Sequence, residues 1–336
     1  MEVNSVELVH RTRGPLVECI HRGHIAVVDS EGSVIRSIGD PQYITFARSA
    51  AKPLQANPVI ASGAAERFGF TESEIALVCS SHNGEPHHIE GVRSILAKIG
   101  LDESYLQCGE HAPLHPPSAK SLRNEGKKPG AIHNTCSGKH SGMLALARHI
   151  GASLDDYKRP EHPVQRMMRE TVSSFAGLRP EAILLGTDGC GVPVFGMPIA
   201  SLAAAYARFG AAIADSNERA QACRTIRSAI QAHPEMIAGE DRFDTALIRG
   251  TQGKLIGKMG ADGVFAVAYP KLRLGFCLKI EDGSLTALYP AVAEALKQLG
   301  WVNEQEFQSI AEFHTVTIRN WGKDKVGVTK PVFRFD

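Results

Sequence analysis

Hydrophobic periodicity changes twice along the chain. Near the start, apolar residues come in short, β-branched runs. His24-Ile-Ala-Val-Val28 and Ser33-Val-Ile-Arg-Ser-Ile38 flank the turn sequence Asp29-Ser-Glu-Gly32, which predicts a hairpin. Met1–His10 alternates like a strand, and Tyr43–Ala47 reads as another, set off by Asp40-Pro41. From about residue 52 the spacing becomes helical. His88–Gly100 places Ile89, Val92, Ile95 and Leu96 on one side, and Met143, Leu146, Ala147 and Ile150 form a second stripe that Gly151 ends. Pro163 opens a third helix, with Val164, Met167, Met168, Val172 and Phe175 at a period of 3.6, and further helices are predicted near 198–209 and 217–232. Ile183–Thr187 resembles a buried strand entering the Gly-rich turn Asp188–Pro193. The proline-rich stretch 108–131 predicts a loop, a lid or a partner-binding segment. Strands return at 264–268, Leu274–Glu281 and Thr315–Ile318, around a helix carrying Val292, Leu296 and Leu299.

Strands at both ends and helices between them predict an α+β fold: one sheet built from the two ends, with a helical lobe beside it. No low-complexity linker separates the parts. The expected division is a single domain, 1–336, with a sheet lobe of about 1–47 and 255–336 and a helical lobe of about 48–254.

Composition removes several function classes. The formal net charge is +1 over 336 residues, which argues against nucleic acid and anionic membrane as partners. No apolar run reaches membrane-spanning length, and the start of the chain has neither a basic region nor an apolar leader, so a cytoplasmic protein is expected. Seven dispersed cysteines then read as free thiols or metal ligands, with Cys223 and Cys277 in the core.

The chemistry centres on Arg48-Ser49-Ala50-Ala51-Lys52-Pro53, which follows a strand and opens a helix. A serine needs a base to become a nucleophile, and a desolvated lysine amine can be one. Alone, S-x-x-K is a cheap motif. Ser81-His82-Asn83 and Lys258-Met259-Gly260 extend it to the order S-x-x-K, S-x-N, K-x-G found in penicillin-binding proteins and class A β-lactamases. Cys136 and Lys139 open a helix, and Cys190 lies in a Gly-flanked turn after Asp188. Two thiolates suit Zn²⁺, while buried free cysteines and a surface lysine explain the same residues without any metal.

Arg48–Gln55, Ser80–Glu85, His133–Met143, Gly186–Pro193, Glu240–Thr245 and Lys258–Gly263 together resemble the rhizobial-type L-asparaginase II family over nearly the whole chain. The resemblance implies a β-lactamase/glutaminase-like fold, a homodimer, and hydrolysis of the side-chain amide of L-asparagine. It implies two Ser–Lys pairs, Ser49–Lys52 and Ser81–Lys258, as the catalytic groups. It also implies one Zn²⁺ per subunit held by Cys136, Lys139 and Cys190. Arg48, His82, Asn83 and Asp188 are the substrate-binding candidates that go with them. Arg242, between acidic neighbours, is expected in local ion pairs. A serine amidase of other specificity and a non-catalytic zinc protein are the competing readings.

Overall fold

A computed structural model describes residues 5–212 and 217–335; the first four residues of the expected N-terminal strand lie outside them. The fold is α+β and forms two compact units. One comprises the described residues of Met1–Ala50, Met197–Ala211 and Ala246–Asp336, the other those of Ala51–Gly196 and Ala212–Thr245.

The first unit is built on an antiparallel sheet. Its strand order is Val316–Arg319, Lys325–Pro331, Val6–Arg13, Leu16–Asp29, Leu274–Ile280, Val264–Tyr269 and Ile256–Gly260, with Val34–Ile38 pairing on Leu16–Asp29. The expected hairpin forms because the Asp29 carboxylate accepts from the N–H groups of Glu31, Gly32 and Ser33, closing an Asx-type turn. The strand Leu16–Asp29 is longer than the sequence pattern predicts. Only its second half is apolar and buried, while Leu16–Arg22 is mostly exposed and pairs along Val6–Arg13. Lys258 and Gly260 of K-x-G lie within the strand Ile256–Gly260, which pairs with Val264–Tyr269. The helix Ile199–Ala211 packs on the sheet of this unit, whereas the sequence division counted it with the helical stretch. Its approach depends on Gly275, where a Cβ would lie 1.9 Å from the Ala203 carbonyl oxygen.

The second unit is helical. The helices Glu72–Val78, Pro86–Lys98, Ser137–His149, Pro163–Ala176 and Glu218–Ala232 carry its core. Thr71 and Glu74 form a capping box at the first, and Gly177 in the left-handed region stops Pro163–Ala176. Two expectations fail here. The stretch 108–131 is not all loop: Pro116–Asn124 is a helix with prolines in its first turn, where no N–H is needed. The strand Leu184–Thr187 is not buried, since Leu184 and Leu185 are 53% and 40% exposed. Among the described residues, no helix is long and apolar enough to cross a membrane.

Candidate functional site

In the sheet unit, a 3₁₀ turn, Arg48–Ala51, follows the short strand Ile44–Phe46. Arg48 sits at φ +48°, in the left-handed region, and its guanidinium pairs with the Asp262 carboxylate. Ser49 is half-buried, and its hydroxyl makes no hydrogen bond with the described residues. Lys258 is buried on its strand, with its amine donating to the Met259 carbonyl at 2.9 Å.

In the helical unit, Lys52 is the first residue of the helix Lys52–Ala61 and is completely buried. Its amine donates to Ser81 Oγ at 2.9 Å and to the Ser80 carbonyl at 2.5 Å, with the Thr135 carbonyl at 3.5 Å. Within this unit, the serine hydroxyl that the Lys52 amine meets is therefore that of Ser81.

Ser81 belongs to a loop tied to Ile237 and Ala238 by the N–H groups of Ser81 and Asn83, each at 2.8 Å. His82, in the same loop, is fixed on both sides. The Gly84 N–H donates to Nδ1 at 3.1 Å, so Nε2–H donates to Ser137 Oγ at 2.8 Å, and the Ser137 hydroxyl donates on to the Ile132 carbonyl at 2.8 Å. Burial, with His88 and Lys52 nearby, holds His82 neutral and well below its ordinary pKa. Its ring nitrogens are thus spent on shaping the loop. Asn83 Oδ1 accepts from the Arg242 guanidinium at 2.7 Å, a partnership that sequence reasoning did not find.

The sulfur residues of this unit converge. Cys136 caps the helix Ser137–His149, which carries Lys139 in its first turn. Cys190 sits in the turn joining Leu184–Thr187 to Pro193–Pro198, closed by the Asp188 N–H donating to the Val192 carbonyl at 2.9 Å, with Gly191 at φ +84°. One donor atom from each of Cys136, Asp188 and Cys190 lies within 4.8 Å of the other two. The Lys139 amine donates to Cys190 Sγ at 3.3 Å and stands 3.9 Å from Asp188 Oδ2.

Lys139 is buried at 3% exposure, so the surface-lysine reading fails. The hydrogen bond with Cys190, helped by Lys52 and Lys139 against the cost of burial, pulls the Cys136 thiol well below its usual range, so the pair shares one negative charge. Burial alone would lower Lys139; Cys136, Cys190 and Asp188 outweigh it and raise its pKa. Asp188 thus joins the sulfur cluster as a third donor, which its place two residues before Cys190 made readable.

A cavity of about 700 Å³ opens in the same unit, lined by Gly84, Pro86, Ile89, His115 and Leu122 among others. It contains neither the sulfur cluster nor the Lys52–Ser81 contact.

The chain belongs to the L-asparaginase II family, whose model matches residues 9–331. Among solved structures it is similar to Mglu in its glutamate form, at 14% identity over 83% of this chain and 61% of that one, with a TM-score of 0.45. It is also similar to a beta-lactamase from Mycobacterium bovis, at 15% identity over 82% and 93% of the two chains, TM-score 0.36. A third is the D-alanine carboxypeptidase AmpC from Burkholderia cenocepacia, at 12% identity over 87% and 92%, TM-score 0.37. The chain thus spans 61% of the length of Mglu. No curated protein matches it.

Proposed function

We propose that the protein cleaves the side-chain amide of L-asparagine to L-aspartate and ammonia. In this reading it is a Ser–Lys enzyme of the rhizobial type, a cytoplasmic homodimer with one Zn²⁺ per subunit. The observation that carries it is the buried Lys52 amine on Ser81 Oγ at 2.9 Å, in a chain that its family matches over residues 9–331.

The serine hydroxyl must lose its proton as it attacks, and a neutral amine is the base this chain offers. In the proposed cycle Ser49 Oγ bonds to the amide carbon, and its proton passes to Lys52. The C–N bond then breaks as that proton reaches the leaving nitrogen, which departs as ammonia. Water attacks the resulting ester, gives its proton to the same amine and frees aspartate, and the proton returns to Ser49. Ser81 serves as the relay on Lys52, and Lys258 is the second amine. His82 holds the loop, so substrate contact falls to Asn83 with Arg242 behind it. Arg48 is engaged by Asp262 and acts on the shape of its turn.

Cys136, Lys139 and Cys190 are the residues that would hold zinc, with Asp188 beside them. Their chemistry fits: two sulfurs and a carboxylate oxygen lie within 4.8 Å of one another, and the surroundings favour thiolate at Cys136. When bound, the ion supplies a Lewis acid that can anchor or polarise a substrate oxygen. Lys139 must give up a proton to ligate it, so occupancy falls as pH drops.

Metal content, kinetics and melting of wild type and Cys136→Ala test this reading together. A site that serves the reaction predicts loss of metal and of kcat/KM with a modest change in Tm. Wild-type protein that stays fully active after complete removal of metal by a chelator would refute a catalytic zinc and leave the Ser–Lys groups as the machinery.

A further inference from the structure

We propose that Tyr206 is a positioning residue for Ser49, acting through the carbonyl of Ala50. The inference rests on Ser49 being the attacking serine of the proposed reaction. Ser49 Oγ has no hydrogen-bond partner among the described residues, so no neighbouring side chain steers it. A hydroxyl of that kind is aimed by the backbone that carries it. What fixes the Arg48–Ala51 turn therefore fixes the nucleophile.

Within the sheet unit, three contacts among the described residues hold the turn beside those of the Arg48 side chain. The Ala50 N–H donates to the Ala47 carbonyl at 3.0 Å, which sets its curvature. The strand Ile256–Gly260 presses on it from one side. A Cβ at Gly260 would lie 2.7 Å from the Ala47 oxygen and 3.2 Å from the Ala50 nitrogen, so the glycine of K-x-G is what permits this approach. The third is Tyr206, on the helix Ile199–Ala211, whose hydroxyl donates to the Ala50 carbonyl at 2.7 Å. Both Tyr206 and Ala50 are fully buried, so water cannot replace that donor.

The Arg48–Asp262 pair does not substitute for it. Asp262 is 72% exposed, and an ion pair so open to solvent restrains little. Tyr206 is thus a buried side-chain donor that fixes the turn one residue after Ser49.

Tyr206→Phe keeps the ring and removes only the hydroxyl, leaving the Ala50 carbonyl free to swing. Displacing a nucleophile by an ångström costs on the order of 100-fold in rate, so kcat for L-asparagine should fall at least about 10-fold while KM holds within about 2-fold. A second readout is the rate at which phenylmethylsulfonyl fluoride modifies Ser49, followed by mass spectrometry of its peptide, which should fall with kcat. Gly260→Ala displaces the turn from the other side and should give the same split, which keeps the test available if Tyr206→Phe fails to fold. Ser49→Ala separates the two levels of the claim: turnover at the wild-type rate in Ser49→Ala would overturn the reading on which the inference rests. With Ser49→Ala inactive, a Tyr206→Phe protein that keeps wild-type kcat and Ser49 modification rate, even with a lower Tm, would overturn the positioning role alone.

Discussion

Acidification should weaken the helical unit before its carboxylates titrate, because three of its histidines are buried neutral. Burial, followed by the neighbouring His87, pushes His88 down to about 3. Burial also holds His82 and His140 well below the ordinary value, with His88 the next cause for the first and Lys139 for the second. In the unfolded chain each returns to about 6.5. Below that value the unfolded state binds protons that the folded state refuses, so stability is full above pH 6.5 and is lost as pH falls toward 3. At pH 5, a histidine held at about 3 costs about 2 kcal/mol relative to pH 8. His82 and His140 add to this cost in the same direction. Carboxylates held down in the fold, such as Glu74 with Lys98 bound to it, lose their contribution only at still lower pH. Urea unfolding across this range should show stability rising with pH by at least about 1 kcal/mol per unit near pH 5, the slope of the one proton linked to His88. Unchanged stability between pH 8 and pH 5 would refute the neutral burial of these rings.

Other consequences are more local. Lys52→Arg should abolish ammonia release from L-asparagine, because a guanidinium stays charged and cannot accept a proton; near wild-type turnover would remove Lys52 from the chemistry. Gly138→Ala should lower Tm with a cost of about 1–3 kcal/mol, since its Cβ would meet the Leu77 carbonyl oxygen at 2.3 Å; an unchanged melt would show that the helices separate freely. Thr71→Ala should cost about 1 kcal/mol in urea unfolding by removing the cap that accepts the Glu74 N–H. Asp188→Asn should weaken zinc retention in competition with a chromogenic chelator, and retention equal to wild type would leave Asp188 outside the ligand set.

What the sequence revealed follows from what each element buries. The helix Pro163–Ala176 was legible because it lays one apolar stripe into the core, between a proline that starts it and a glycine that stops it. Pro116–Asn124 escaped notice because it buries no residue and so has no stripe, and its two leading prolines resemble a break. The strand Lys325–Pro331 was missed for a related reason: only Gly327 and Thr329 within it are buried, so no large apolar side chain marks its buried face. At the candidate site, spacing pointed to Ser49 and Lys52, on the assumption that both were helical. The bond between Lys52 and Ser81, and the meeting of Cys136 with Cys190, join distant segments, which no local pattern encodes.

The measurement that bears most directly on the proposed activity is ammonia release by the purified wild-type protein from L-asparagine and from L-glutamine, at equal concentrations and with zinc content determined on the same sample. The account predicts turnover of L-asparagine well above that of L-glutamine. Equal turnover of the two amides, or release from neither by zinc-loaded protein, would contradict it.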